Sequence, residues 1–204
     1  MFNRYPSAPS VEAKKPRQSN TTADPLVLPI TPAELAEFMA LDYSPADDAM
    51  LNSFIAAACE SFIAYASHEL LERQWVLNWS SHPQKQIGIG GLSPTKGIYT
   101  WRIDLPLTPV ASVDTVTVEG DPAEYTARTD DKPASIELNE TGEIEITYTA
   151  GYATAADIPQ GILQGIMLLA SAMYSSRGTC DLCDLLCHSG AKALWGRYMM
   201  VRSI

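Results

Sequence analysis

The run Glu143-Ile144-Glu145-Ile146-Thr147-Tyr148-Thr149-Ala150-Gly151-Tyr152, followed by Asp157-Ile158-Pro159 and a long apolar stretch, constrains the fold more than any other part of the chain. Ile144, Ile146 and Tyr148 alternate with Glu145 and Thr147, the period of a half-buried strand. Gly151 permits a backbone turn that a residue with a Cβ resists. Asp157 and Pro159 form a helix start signal, an acceptor for free N–H groups and then a residue that needs none. Ile162, Ile166, Leu169 and Met173 follow at helical spacing, widened by Leu163, Met167 and Ala170. A stripe this broad exceeds what a surface helix buries. A central helix is expected, packed on the sheet and on another helix or another subunit, with Ile162, Ile166, Leu169 and Met173 as the subunit-packing residues. Gly178, after Arg177, is the natural C-terminal stop.

The chain has 204 residues, 46% of them hydrophobic, enough for one domain with a real core plus extensions. Its net charge of −10 argues against a phosphate-gripping nucleic-acid binder, which needs clustered Lys and Arg. No apolar run is expected to span a membrane. No apolar segment follows the basic N-terminal residues, so no secretory signal is expected. Reduced thiols are the expectation for Cys59, Cys180, Cys183 and Cys187.

Residues 1–29 are rich in Pro, Ser, Ala, Asn and Thr and read as an extended or disordered arm, free or ordered on a neighbour. Residues 30–178 read as the core. Thr31-Pro32-Ala33-Glu34 is a capping box with Pro at the first helical position, opening a helix over 31–42. Ser44-Pro45-Ala46-Asp47 repeats the signal and opens a helix over 45–68, with Leu51, Phe54, Ile55, Ala58, Phe62 and Tyr65 on one face and Cys59 beside it as a small core residue. A β block over 73–150 holds the alternating runs around Trp75–Trp79, Trp101–Val118 and Ile136–Leu138. A helix over 159–177 closes the core, and 179–204 forms a Cys-containing segment and C-terminal docking tail, with a last short helical piece from Ala191 to Tyr198. The class is α+β: an N-terminal helix pair, an antiparallel β block and a long C-terminal helix packed with the N-terminal helices, with extended arms at both ends.

Cys180, Cys183, Cys187 and His188 are the sharpest candidates for chemistry, since thiolates and an imidazole bind zinc. Zinc sites usually pair two such knuckles, and this chain has one cluster. The same spacing is also that of a buried helical stripe, and a structural or subunit-contact role is assigned. Gly88-Ile89-Gly90-Gly91 lacks the full phosphate-loop fingerprint and reads as a loop. His68, His82 and His188 are scattered, and neither a Gly-x-Ser-x-Gly elbow nor a His-Glu-x-x-His motif occurs. Glu143 and Glu145 read as a solvated strand face. Neither an enzyme nor a cofactor is expected.

Four segments taken together carry a family resemblance: the helix pair from Ile30-Thr31-Pro32-Ala33-Glu34-Leu35 to Asp47-Asp48-Ala49-Met50-Leu51-Asn52-Ser53-Phe54-Ile55-Ala56-Ala57-Ala58; Leu105-Pro106-Leu107-Thr108-Pro109-Val110-Ala111-Ser112-Val113; Ile146 to Tyr152 with Ile158-Pro159 and the helix to Tyr174; and Ala193-Leu194-Trp195 with Tyr198 to Arg202. In their order and spacing, from about Pro25 to the C-terminus, the chain resembles the head–tail connector (adaptor) proteins of long-tailed bacteriophages. Members often carry Tyr-Arg near the end; here Met199 follows Tyr198 and a basic residue returns at Arg202.

The resemblance implies a structural virion neck protein, assembled in the host cytoplasm. It implies a homo-oligomeric ring, commonly of twelve, beneath the portal protein, extending the DNA channel and receiving the next neck or tail protein. Trp195, Tyr198, Met199, Met200, Val201 and Arg202 are then the portal-docking residues; aromatic and Met side chains are typical interface anchors. Net acidity suits a wall along which DNA slides without specific binding. A tail-completion or terminator protein is the alternative in the same class. A small metal or redox protein using Cys180–Cys187 is the alternative in another.

Overall fold

In the computed structural model, which describes residues 17–20, 27–79, 86–87, 100–140, 142–176 and 182–199, the alternating strand sits at the centre of the larger of two sheets. The strands are β1 (Arg17–Asn20), β2 (Arg73–Trp79), β3 (Gln86–Ile87), β4 (Thr100–Asp104), β5 (Val110–Val118), β6 (Asp121–Pro122), β7 (Tyr125–Arg128), β8 (Ser135–Leu138) and β9 (Ile144–Ala150). One sheet has the order β1-β2-β9-β5-β6 and the other β3-β4-β8-β7, all pairings antiparallel. In β9, Ile144, Ile146, Tyr148 and Ala150 are buried while Glu145 is exposed. In register, Leu77 and Val116 flank Ile146, and Trp75 and Val113 flank Tyr148. The inner face meets Ile103, Ile136 and Leu138 of the second sheet in one apolar cluster.

The helices are α1 (Pro32–Phe38), α2 (Asp48–Ala66), α3 (Gln160–Ser176), α4 (Leu182–His188) and α5 (Ala191–Trp195). The predicted capping box is present: the Thr31 hydroxyl accepts from Glu34 N–H, and the Glu34 carboxylate accepts from Thr31 N–H at 2.7 Å. α1 stops at Phe38, short of the expected 42, because Ala40 takes a left-handed conformation (φ 53°). Ser44 caps a 3-10 turn over Pro45–Asp47 that runs into α2. Asp157 does not cap the long helix. Its carboxylate accepts from the Thr154 N–H and hydroxyl across a preceding 3-10 turn, and α3 begins three residues later.

One expectation needs correction. Pro45–Ala66 spans 22 residues and contains an 18-residue window of mean hydropathy 1.3, long and apolar enough to cross a membrane, contrary to the reading that no run approaches that length. Its apolarity has a use inside the fold, where Leu51, Ile55, Ala58, Cys59, Phe62 and Ala66 are buried against α3 and its neighbours. Ile162, Ile166, Leu169 and Met173, expected to pack a subunit, are buried among this chain's own helices. The N-terminal arm contributes strand β1 at the edge of the large sheet. The C-terminal segment is helical over Ala191–Trp195 and continues as a 3-10 turn over Gly196–Tyr198, matching the short helical piece expected there, and it supplies the aromatic plug of the helical core.

That plug is Trp195, expected to dock on a partner and found fully buried. Its indole N–H donates to the Ile162 carbonyl at 3.3 Å, and its ring lies 5.2 Å edge-on from Phe62. Its pyrrole edge lies against α3 at Gly165, where a Cβ would overlap the indole. Substituting Trp195→Ala opens a cavity in this core and is expected to cost about 3–5 kcal/mol in chemical denaturation. Gly165→Ala, which overfills the same contact, should cost about 1–3 kcal/mol.

Candidate functional site

The helical layer and the sheets meet along one short strap, Ser67–Glu72, between α2 and β2. Ser67 closes α2 in a left-handed conformation. From there the backbone bonds to two other segments. Glu69 N–H donates to Thr108 O at 2.8 Å and Thr108 N–H to Ser67 O at 3.3 Å. On the other side, Tyr152 N–H donates to Leu70 O at 3.2 Å and Glu72 N–H to Tyr152 O at 3.1 Å. Gly151, at φ +123°, makes the turn that the sequence predicts; a Cβ there would overlap the Leu71 carbonyl. Thr108–Pro109 and Lys132–Pro133 are cis peptides beside this junction.

The strap presents His68 to a cavity of about 700 Å³ whose lining includes Thr108, Lys132, Tyr152, Arg197, Tyr198 and Met199. His68 Nε2 lies 3.0 Å from the Tyr152 hydroxyl and Nδ1 lies 3.2 Å from the Thr108 hydroxyl. Phe62, Tyr152 and Tyr198 surround the ring. Burial, and then the charge of Lys132, pushes the imidazole pKa down to about 4, so the ring is neutral at ordinary pH. The neighbouring Glu69 side chain is also buried. Burial raises its pKa against the opposing effects of the Leu70 N–H, Arg73 and Trp75. Its Oε2 and the Trp75 indole nitrogen sit near one another without a well-formed hydrogen bond.

Arg197, Tyr198 and Met199 of the C-terminal segment line this cavity. Tyr198 faces Gly161 of α3, while Met199 is exposed. Of the predicted docking residues, Trp195 is therefore core, Tyr198 is half-buried at the cavity wall and Met199 is exposed; Met200, Val201 and Arg202 lie outside the described residues. The structure does not gather the cysteines into a described site. Cys187 is exposed on α4, Cys59 is buried in α2, and Cys180 and the Cys183 side chain lie outside the described residues. The His188 ring bonds to the Asp184 carbonyl at 2.7 Å, one helical turn back. Among the described residues, no group of three His, Cys, Asp or Glu side chains is placed to hold a metal.

Sequence reading missed the His68–Tyr152–Thr108 cluster. These residues are 84 and 40 positions apart, and no local spacing links them. It also missed an exposed apolar patch at the turn between α1 and α2, formed by Phe38, Leu41, Tyr43 and Met50. The exposure of Phe38 and Met50 was legible in principle, since both fall off the buried stripes of their helices.

No protein-family model matches the chain, and no curated protein matches it. Solved structures do match. The chain is similar to one in the neck of an empty gene transfer agent particle with C6 symmetry, at 22% identity and TM-score 0.68, covering 92% of this chain and 97% of that one. It is similar to one in the neck of the native particle with C12 symmetry, at 23% identity and TM-score 0.67 over the same shares. A chain of the native gene transfer agent virion gives 23% identity and TM-score 0.68, again over 92% and 97%. Identities this low with near-complete mutual coverage show a shared fold from end to end.

Two solution properties follow from the buried groups. The His68 imidazole titrates near 6.5 when unfolded and near 4 when folded, so the unfolded chain holds more protons between those values. Stability therefore falls as pH drops from about 6.5 to 4, while the raised carboxyl of Glu69 acts with the opposite slope, its contribution lost as pH rises through its folded value. His68→Gln should remove up to about one proton from the positive slope in urea titrations across that range. Burial pushes the Cys59 thiol up to about 12. Maleimide mapping of the native protein should label Cys187 and leave Cys59 unmodified until denaturant is added.

Proposed function

We propose that this chain is a structural neck protein of a phage-like particle, an adaptor that forms a ring beneath the portal and joins the DNA-filled head to the tail. The observation that carries this reading is the end-to-end likeness to neck chains of gene transfer agent particles, in assemblies of C6 and C12 symmetry. The four sequence segments that resemble phage head–tail connectors agree with it. So does the placement of Met199, which is exposed and lines a cavity that also holds Asp130, Asp131, Lys132 and Arg197. In the proposed assembly the chain resides in the virion neck, contacts further copies of itself, the portal above and a neck or tail protein below, and acts without catalysis. DNA passes through the ring without sequence-specific contact.

The burial of Trp195 changes which residues carry docking. A truncation that removes it would unfold the core, so the docking element is taken as Met199 to Ile204, with Met199, Met200, Val201 and Arg202 as its anchors. Mixed with its particle's portal and imaged, the full chain should form a ring on the portal. The chain ending at Tyr198 should keep its thermal unfolding midpoint and lose the ring. A ring that forms only on the tail tube would replace this reading with that of a tail-completion protein. A monomer that ignores both would remove the neck reading altogether.

A further inference from the structure

The apolar patch at the α1–α2 turn is unused by the fold. Phe38, Leu41, Tyr43 and Met50 are each 38–46% exposed. They border two grooves: one of about 310 Å³ with Met39, Ser171 and Tyr174, and one of about 270 Å³ whose lining adds Asp42 and Asp47. The rim is acidic. Glu37 and Asp42 are exposed, Asp47 and Asp48 half-exposed, and no Lys or Arg occurs anywhere from Gln18 to Glu72. Solitary exposed apolar residues need no explanation, but several around adjoining grooves mark an interaction surface.

One segment of this same chain has the complementary chemistry. Residues 1–16 carry Arg4, Lys14 and Lys15 against the single acid Glu12, and they include Phe2, Tyr5 and Val11 as apolar anchors. The register of β1 shows where this segment starts. Arg17 opposes Asn78 and Asn20 opposes Trp75, so Arg17 is the end of β1 farther from the strap that joins β2 to α2. The grooves lie at the opposite end of α2 from that strap, a helix of 19 residues and about 28 Å. Measured from Arg17, an extended chain allows up to about 45 Å to Arg4 but only about 10 Å to Lys14, so the contact calls for an adjacent molecule whose groove rim lies close to the Arg17 end of β1.

We propose that residues 1–16 of one copy dock in the acidic-rimmed apolar grooves at the α1–α2 turn of the adjacent copy, with Lys14 and Lys15 against Glu37, Asp42 and Asp47 and the apolar side chains among Phe38, Leu41, Met50 and Tyr174. The arm is thereby a strap between neighbouring subunits. It orders on binding, and its charge gives it direction and register. The inference rests on the ring reading for the presence of an adjacent copy, and on the grooves and the charge pattern for the contact.

The test is zero-length carbodiimide cross-linking of an equal mixture of ¹⁵N-labelled and unlabelled full-length chain, on samples in which rings have formed by concentration or on the portal. The expected result is mixed-isotope pairs joining Lys14 or Lys15 to Glu37, Asp42 or Asp47. Rings that yield only same-isotope pairs, or pairs elsewhere, overturn the inference and leave the ring reading standing. Absence of self-association in both samples removes both. K14E/K15E should weaken subunit association at least tenfold, and adding E37K/D42K should recover most of it. Glu37 and Asp42 are exposed. Failure of the charge exchange to restore association also overturns the proposal.

Discussion

The structure depends on the backbone bonding of a six-residue strap. Ser67 to Glu72 ends the longest helix and begins a sheet strand, and both its flanks are bonded, to Thr108 on one side and to Tyr152 on the other. Thr108 lies at the entry to β5, and Tyr152 follows β9 just ahead of α3. Three chain segments distant in sequence are thus held at one place by hydrogen bonds whose buried groups would be costly to leave unpaired. The helical layer cannot rotate against the sheets without breaking them. The close approach at Gly151 is what lets the strap fit.

Each side of the strap has its own apolar cluster. The sheet cluster is closed by β9 pairing on both edges and by the smaller sheet across from it. The helical cluster is closed late, by a residue from the end of the chain. Trp195 fills the space among Phe62, Tyr65 and α3, and Gly165 leaves room for it. The C-terminal helices are therefore part of the folded unit.

The same arrangement separates what the fold uses from what it leaves over. α3 spends Ile162, Ile166, Leu169 and Met173 internally. The apolar turn between α1 and α2 gathers several exposed large hydrophobics, while Met199 is exposed beside the His68 cavity. The acidic side chains around the α1–α2 turn keep that patch hydrated.

The sequence by itself determined the elements that depend on local chemistry. The alternation in β9, the capping box at Thr31, the turn at Gly151 and the broad apolar stripe of α3 were all legible because period, cap and turn are properties of neighbouring residues. Together they specify an α+β chain, and the order of its segments already resembled a phage connector. Tertiary structure decided what each apolar side chain faces. Trp195 and Tyr198 look alike as interface anchors in a sequence, yet one plugs the core and the other lines a cavity, because only the packed helices determine which is covered. Asp157 reads as the cap of the long helix and serves the turn before it. The His68 cluster could not be read at all: its partners come from just before β5 and just after β9 and meet only once the strap has brought the two layers together. Local spacing sets the elements, and the long-range contacts that exclude water set which residues remain available for partners.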